Sequence, residues 1–71
     1  LVFIEVKYRK SDRRGLPMEA VSFYKQKTIC RVSDYYRMEN GLGEEQGIRF
    51  DVISVEGEDI TWIPNAFDYI P

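Results

Sequence analysis

The chain has 71 residues, 44% hydrophobic and 31% charged, with ten lysines and arginines against twelve acids for a net charge of −2. That mixture suits a folded globular domain and excludes disorder, and no apolar run approaches the ~18 residues a membrane-spanning helix needs. One cysteine, Cys30, and no histidine exclude an internal disulfide, Ser-His and Cys-His nucleophiles and the usual zinc sites, so any metal would be held by oxygen ligands.

The first eight residues, Leu-Val-Phe-Ile-Glu-Val-Lys-Tyr, read as a strand that carries two opposite charges at its end. Side chains alternate along a strand, so Glu5 and Lys7 share one face and Val6 points the other way. Burying a charge costs several kcal/mol unless it is paired or bound to a metal, which makes this strand end the place to look for chemistry. The strand opens without a cap, turn or polar lead-in. The chain therefore reads as one partial domain, residues 1–71, of a longer cytoplasmic protein, with an open sheet edge that invites a partner chain, a second copy among them.

Arg9 to Pro17 is polar and holds Gly15 and Pro17, so it reads as a loop. Ser22 is a helix cap, and Ile29, Val32 and Tyr36 fall at helical spacing, which predicts a helix over Phe23–Glu39 stopped by Asn40-Gly41. A loop with three glycines follows, then a strand over Ile48–Val55, apolar on both faces and so expected to be covered on both. Glu56-Gly57-Glu58-Asp59 has turn chemistry and Ile60–Ile63 closes a hairpin, with Pro64-Asn65 ending it. Phe67 or Tyr69 is expected to pack back on the sheet. Cys30, Trp62 and the Tyr35-Tyr36 pair read as core, because a chain this short needs large apolar area. Strand, helix, strand, strand is an α/β order with a mixed sheet, the helix crossing over to make the first two strands parallel.

Charge is divided along the chain. Residues 1–37 hold nine basic side chains against four acids, net +5, and residues 38–71 hold Arg49 alone against eight acids, net −7. Lys7, Arg9, Lys10, Arg13 and Arg14 fall within eight positions, an end that draws a polyanion or else a solvated basic loop with no ligand.

An acid and a lysine on one strand face suit chemistry in which a carboxylate holds a hard cation and an ammonium steadies an attacking water or a phosphate oxygen. By itself Glu-x-Lys is a weak signal, since most such pairs are surface ion pairs. One carboxylate is too few for Mg²⁺. Glu19 and Asp51 are the other acids to weigh. Asp51, inside an otherwise apolar strand, reads first as a structural carboxylate paired with Arg49 or receiving backbone donors, and Glu19 equally as an acid at the helix N-terminus. Lys25 and Lys27 sit early in the helix, where a cation opposes the helix dipole. The misfit points to a ligand phosphate or to a solvated helix face.

Four blocks in order, Val2-Phe3-Ile4-Glu5-Val6-Lys7-Tyr8-Arg9, Pro17–Ser22 with Lys25-Gln26-Lys27, Arg49-Phe50-Asp51-Val52, and Ile60–Phe67, resemble the bacterial YraN-like family over nearly the whole chain. That family looks like the Holliday-junction-resolvase branch of the PD-(D/E)xK nucleases. The resemblance implies a truncated restriction-endonuclease-like core that lacks its N-terminal strands, with Glu5 as catalytic acid and Mg²⁺ ligand and Lys7 as the motif lysine. It further implies an aspartate on the preceding strand and, as partner, DNA, branched or single-stranded, gripped by Arg9, Lys10, Arg13, Arg14 and Lys25. The sequence departs from that pattern in lacking the preceding aspartate, which leaves this piece without cleavage activity of its own, and in carrying Phe23 where relatives commonly have proline. The alternative is a non-catalytic nucleic-acid or protein interaction module on the same fold.

Overall fold

The computed structural model of the chain describes residues 1–9 and 21–71. Its elements are β1 (Val2–Arg9), α1 (Phe23–Glu39), β2 (Arg49–Glu56) and β3 (Asp59–Phe67), and they form the α/β strand-helix-strand-strand arrangement expected from the sequence. The sheet order is β1-β2-β3. β1 runs parallel to β2, with Glu5 opposite Val52 and Lys7 opposite Ser54, and β2 runs antiparallel to β3. A helix between two parallel strands must cross over one sheet face, and α1 does so.

Local chemistry sets the helix ends where the sequence puts them. Ser22 is the N-cap, its hydroxyl accepting from the Lys25 backbone N–H at 3.2 Å. At the other end Leu42 N–H donates to Arg37 C=O and Gly41 N–H to Met38 C=O, with Gly41 at φ 65°. Those paired bonds satisfy carbonyls that a helix end leaves unpaired, and the left-handed residue between them favours glycine.

The core lies between α1 and one sheet face. Phe50 stacks on Phe67 at 5.0 Å between ring centroids and on Phe3 at 5.8 Å, and Phe3 meets Tyr36 edge-on at 5.6 Å. Val52 and Ser54 continue the buried line of β2. The helix face is not the one its apolar residues suggest. Cys30 and Ser33 are its fully buried positions, with Gln26 and Arg37 half-buried on the same line, whereas Val32 and Tyr36 are exposed. Small side chains let the helix backbone approach the sheet, and the Ser33 hydroxyl is satisfied by donating to Cys30 C=O at 2.7 Å. Cys30 is core, as expected, and Tyr35, at 63% exposure, is not.

The opposite sheet face departs from expectation. Val2, Ile4, Val6, Tyr8, Ile60 and Trp62 are all exposed there and Ile53 and Val55 are half-buried, so this face of β2 is fully covered only at Asp51 and Trp62 is not a core residue. Helix α1 has one side to offer and covers one side.

β3 runs beyond Ile63, through Pro64 and Asn65 to Phe67. Pro64 is tolerated because β3 is an edge strand, and the register shifts between Phe50 and Val52 where Asn65 adopts φ 52°. Phe67 therefore belongs to the sheet, while Tyr69 docks on α1. Its hydroxyl donates to Asp34 at 2.9 Å, Arg31 donates to Tyr69 Oη and to Ile70 C=O, and Ile70 N–H reaches Cys30 Sγ at 3.3 Å.

Candidate functional site

Glu5 and Lys7 sit on the helix-facing side of β1, Glu5 at its middle and Lys7 toward its C-terminal end. In open sheets with parallel strands, ligands collect outside the carboxyl ends of the strands. The return of the chain into α1 brings the first turn of the helix over the same strand, and with it Lys25. Its Nζ lies 3.8 Å from Glu5 Oε2, the carboxylate side chain being 23% exposed and the lysine 48%. Glu5 thus takes its ammonium partner from the helix rather than from the strand, and Lys7 is exposed with no ion pair among the described residues.

Between α1 and β1 lies a groove of about 210 Å³, walled by Phe3, Ile4, Thr28, Ile29 and Val32, with Glu5 and Lys25 as its charged members. The Glu5 side chain is 23% exposed, so it is not sealed under aliphatic neighbours. Sequence reasoning placed Lys25 as a phosphate ligand and did not see its contact with Glu5, nor Ile29 and Val32 as groove walls. A signal was present: the third residue of a helix that returns to a parallel strand lies above that strand. The first turn carries no acid, and among the described residues the helix N-terminus is capped by Ser22.

Arg9 closes β1, and Lys10, Arg13, Arg14 and Glu19 lie outside the described residues. Asp51 does not join Glu5. It faces the other side of the sheet and is 2% exposed, held by Arg49 through Nε at 2.8 Å and Nη2 at 2.9 Å, by the Trp62 indole N–H at 2.9 Å and by the Asn65 backbone N–H at 2.9 Å. Hydrogen bonding from Arg49, reinforced by those from Asn65 and Trp62, keeps its carboxyl well below the usual carboxylate range. This is the structural role read from the sequence. A carboxylate that already receives four donors has little left for a cation.

Residues 1–55 match the family described as Uncharacterised protein family UPF0102. The chain belongs to the UPF0102 family. The YraN-like resemblance carried by the Glu5-Val6-Lys7 block and its companions is to this same family. A UPF0102 protein of Lachnoclostridium phytofermentans is 46% identical over 68 residues, covering 96% of this chain and 58% of the relative. A UPF0102 protein of Aliivibrio salmonicida is 44% identical over 68 residues, 92% of this chain and 55% of the relative, and one of Alkaliphilus oremlandii is 51% identical over 57 residues, 79% and 49%. The chain thus spans about half the length of these UPF0102 relatives. No solved structure matches it. No helix among the described residues is long and apolar enough to cross a membrane.

For Mg²⁺, the described residues supply Glu5 at the groove and no cluster of three or more His, Cys, Asp or Glu side chains. One carboxylate with an ammonium 3.8 Å away does not make a Mg²⁺ site by itself.

Proposed function

We propose that this UPF0102 chain is a nucleic-acid-binding domain of nuclease-like type, in which the groove beneath the first turn of α1 receives a phosphodiester. The observation that carries this reading is the meeting of Glu5 and Lys25 from two different elements over the middle of β1, with Lys7 exposed further along the same strand face. Lys25 and Lys7 supply positive charge to phosphate oxygens, and the first turn of α1, which carries no acid of its own, adds backbone donors to the same region. Arg9, Lys10, Arg13 and Arg14 follow directly in sequence and extend the positive stretch. Contacts of this kind track backbone and shape more than base sequence.

Hydrolysis is the finer part of the proposal, and it draws on the resemblance to PD-(D/E)xK nucleases. Glu5 would be one ligand of a divalent ion and Lys7 would orient the attacking water. Glu5 alone does not fit a Mg²⁺ ion, so cutting requires a second acid beside it, which the described residues do not supply.

The deciding experiment measures binding to branched and single-stranded DNA over a salt series, and cleavage with Mg²⁺ or Mn²⁺ by the L. phytofermentans relative and by its variants at the positions aligned with Glu5 and Lys7. The expected result is binding that weakens as salt rises and metal-dependent cutting lost in the variant at the Glu5 position. Absence of salt-dependent binding overturns the proposal at its root. Cutting that survives removal of the Glu5 carboxylate overturns the nuclease assignment.

A further inference from the structure

The residues that follow β3 tie back to α1 through a compact set of polar contacts. Tyr69 donates its hydroxyl to Asp34 at 2.9 Å, and Arg31 donates through Nη2 to Tyr69 Oη at 3.2 Å and to Ile70 C=O at 2.8 Å. The same guanidinium lies 5.8 Å from the centre of the Tyr69 ring and donates through Nε to Asp34 Oδ2 at 3.2 Å. Ile70 N–H completes the set at Cys30 Sγ. Tyr69 Oη, Asp34 and Arg31 form a closed triangle in which each group is bonded to the other two, so the Tyr69 hydroxyl fixes the tail and the guanidinium at once.

The position of this latch on the helix matters for Lys25. Lys25 and Asp34 stand about two and a half turns apart, which puts them on opposite flanks of α1. One flank carries the ion pair with Glu5 of β1, and the other is pinned to the segment beyond β3. Cys30 is the first fully buried residue of the helix, and ahead of it only Gln26 and Ile29 are half-buried among the described residues. The first turn therefore takes its direction from the attachment at Cys30, Arg31 and Asp34. Arg31 lies ~9 Å along the axis from Lys25, so a tilt of about 15° at the latch displaces Lys25 by ~2 Å. That is enough to part a pair that stands at 3.8 Å.

We infer that Tyr69 is a positioning residue for Lys25: its hydroxyl, held by Asp34 and Arg31, sets the tilt of α1 that brings the Lys25 ammonium to Glu5. Tyr69 touches neither member of the pair and acts through the helix. This role deepens the phosphodiester reading of the site, on which it rests where DNA is concerned.

The test reads the Glu5–Lys25 contact itself. A water-soluble carbodiimide joins a carboxylate and a neighbouring amine as an amide, and peptide mapping measures the Glu5–Lys25 link in the whole chain without nucleic acid, with circular dichroism as the check on folding. Wild type is expected to form the link. Tyr69→Phe, which removes the hydroxyl and keeps the ring, is expected to form roughly threefold less of it, the low end of coupling within one hydrogen-bond network. Arg31→Met also loses the bond to Ile70 and is expected to show the larger loss. Asp51→Asn is the control, since it loosens the other sheet face and leaves the latch intact, and it should keep the wild-type yield. On labelled DNA, Tyr69→Phe is expected to lower the salt slope in the direction of Lys25→Met and to add nothing in a chain that already carries Lys25→Met. A folded Tyr69→Phe or Arg31→Met chain with the wild-type link yield overturns the inference, as does a wild type that forms no link. An equal loss in Asp51→Asn overturns it too, because the effect would then be one of general stability. A link that depends on Tyr69 in a chain without salt-dependent DNA binding upholds the positioning role and removes the phosphodiester reading.

Discussion

Lys25→Met removes the helix ammonium from Glu5 while leaving an unbranched stem of similar reach beside Thr28 and Ile29. At 3.8 Å the pair is worth about 1 kcal/mol in water by Coulomb's law, and with the lysine half-exposed the measured range for such pairs is ~0–1 kcal/mol. For a domain of this size, 1 kcal/mol corresponds to a drop of roughly 4–8 °C in Tm, so the variant should melt no more than about 8 °C below wild type. Its effect on DNA is expected to be larger in kind. Loss of one phosphate contact lowers the slope of log K against log salt by ~0.9 on duplex DNA or ~0.7 on single strands, about a threefold loss of affinity across a fourfold salt range for each contact. The assay is fluorescence anisotropy on labelled DNA at several salt concentrations, with thermal melts of the same samples. Lys27→Met is the control, since Lys27 is exposed, lines no part of the groove and makes no ion pair among the described residues. An unchanged slope for Lys25→Met, or an equal fall for Lys27→Met, refutes the placement of a phosphate at the groove.

Acidification tests the Asp51 network. Its carboxyl is held below its ordinary value in the folded state, so the stability it contributes is complete above the unfolded value of about 3.9 and is lost as pH falls through the lower folded one. Urea midpoints should therefore fall on acidification below about pH 4, and Asp51→Asn should lower the midpoint at neutral pH and flatten that fall. Phe50→Leu removes two stacked ring contacts at a fully buried position, and a loss of ~1–3 kcal/mol in urea unfolding is expected, against less than ~1 kcal/mol for Val6→Ala on the open face. Ser22→Ala deletes the cap that accepts the Lys25 N–H and should cost about 1 kcal/mol, with loss of amide-exchange protection confined to the first turn of α1.

Which parts of this protein were legible in the chain follows from the range of the forces involved. Ser22, Asn40-Gly41 and Glu56-Gly57-Glu58-Asp59 act on backbone groups within a few residues, so the helix limits and the hairpin turn could be read directly. The alternation that puts Glu5 and Lys7 on one face is a property of any strand and needs no partner. The arrangement of the helix against the sheet was not legible. Ile29, Val32 and Tyr36 mark the apolar side of α1, but its fully buried positions are Cys30 and Ser33, and Cys30 also meets Ile70 of the chain's C-terminal end.

Sequence alone determined the α/β order, the family and the residues that carry charge at the end of β1. Tertiary structure decided what those charges meet. Lys25 reaches Glu5 only because the chain returns above β1 after the crossover, and Asp51 is kept from the groove only because β2 turns it to the other face, where Arg49, Trp62 and Asn65 surround it. Contacts between residues 14 or 20 positions apart depend on register and crossover geometry, which no local pattern of side chains encodes.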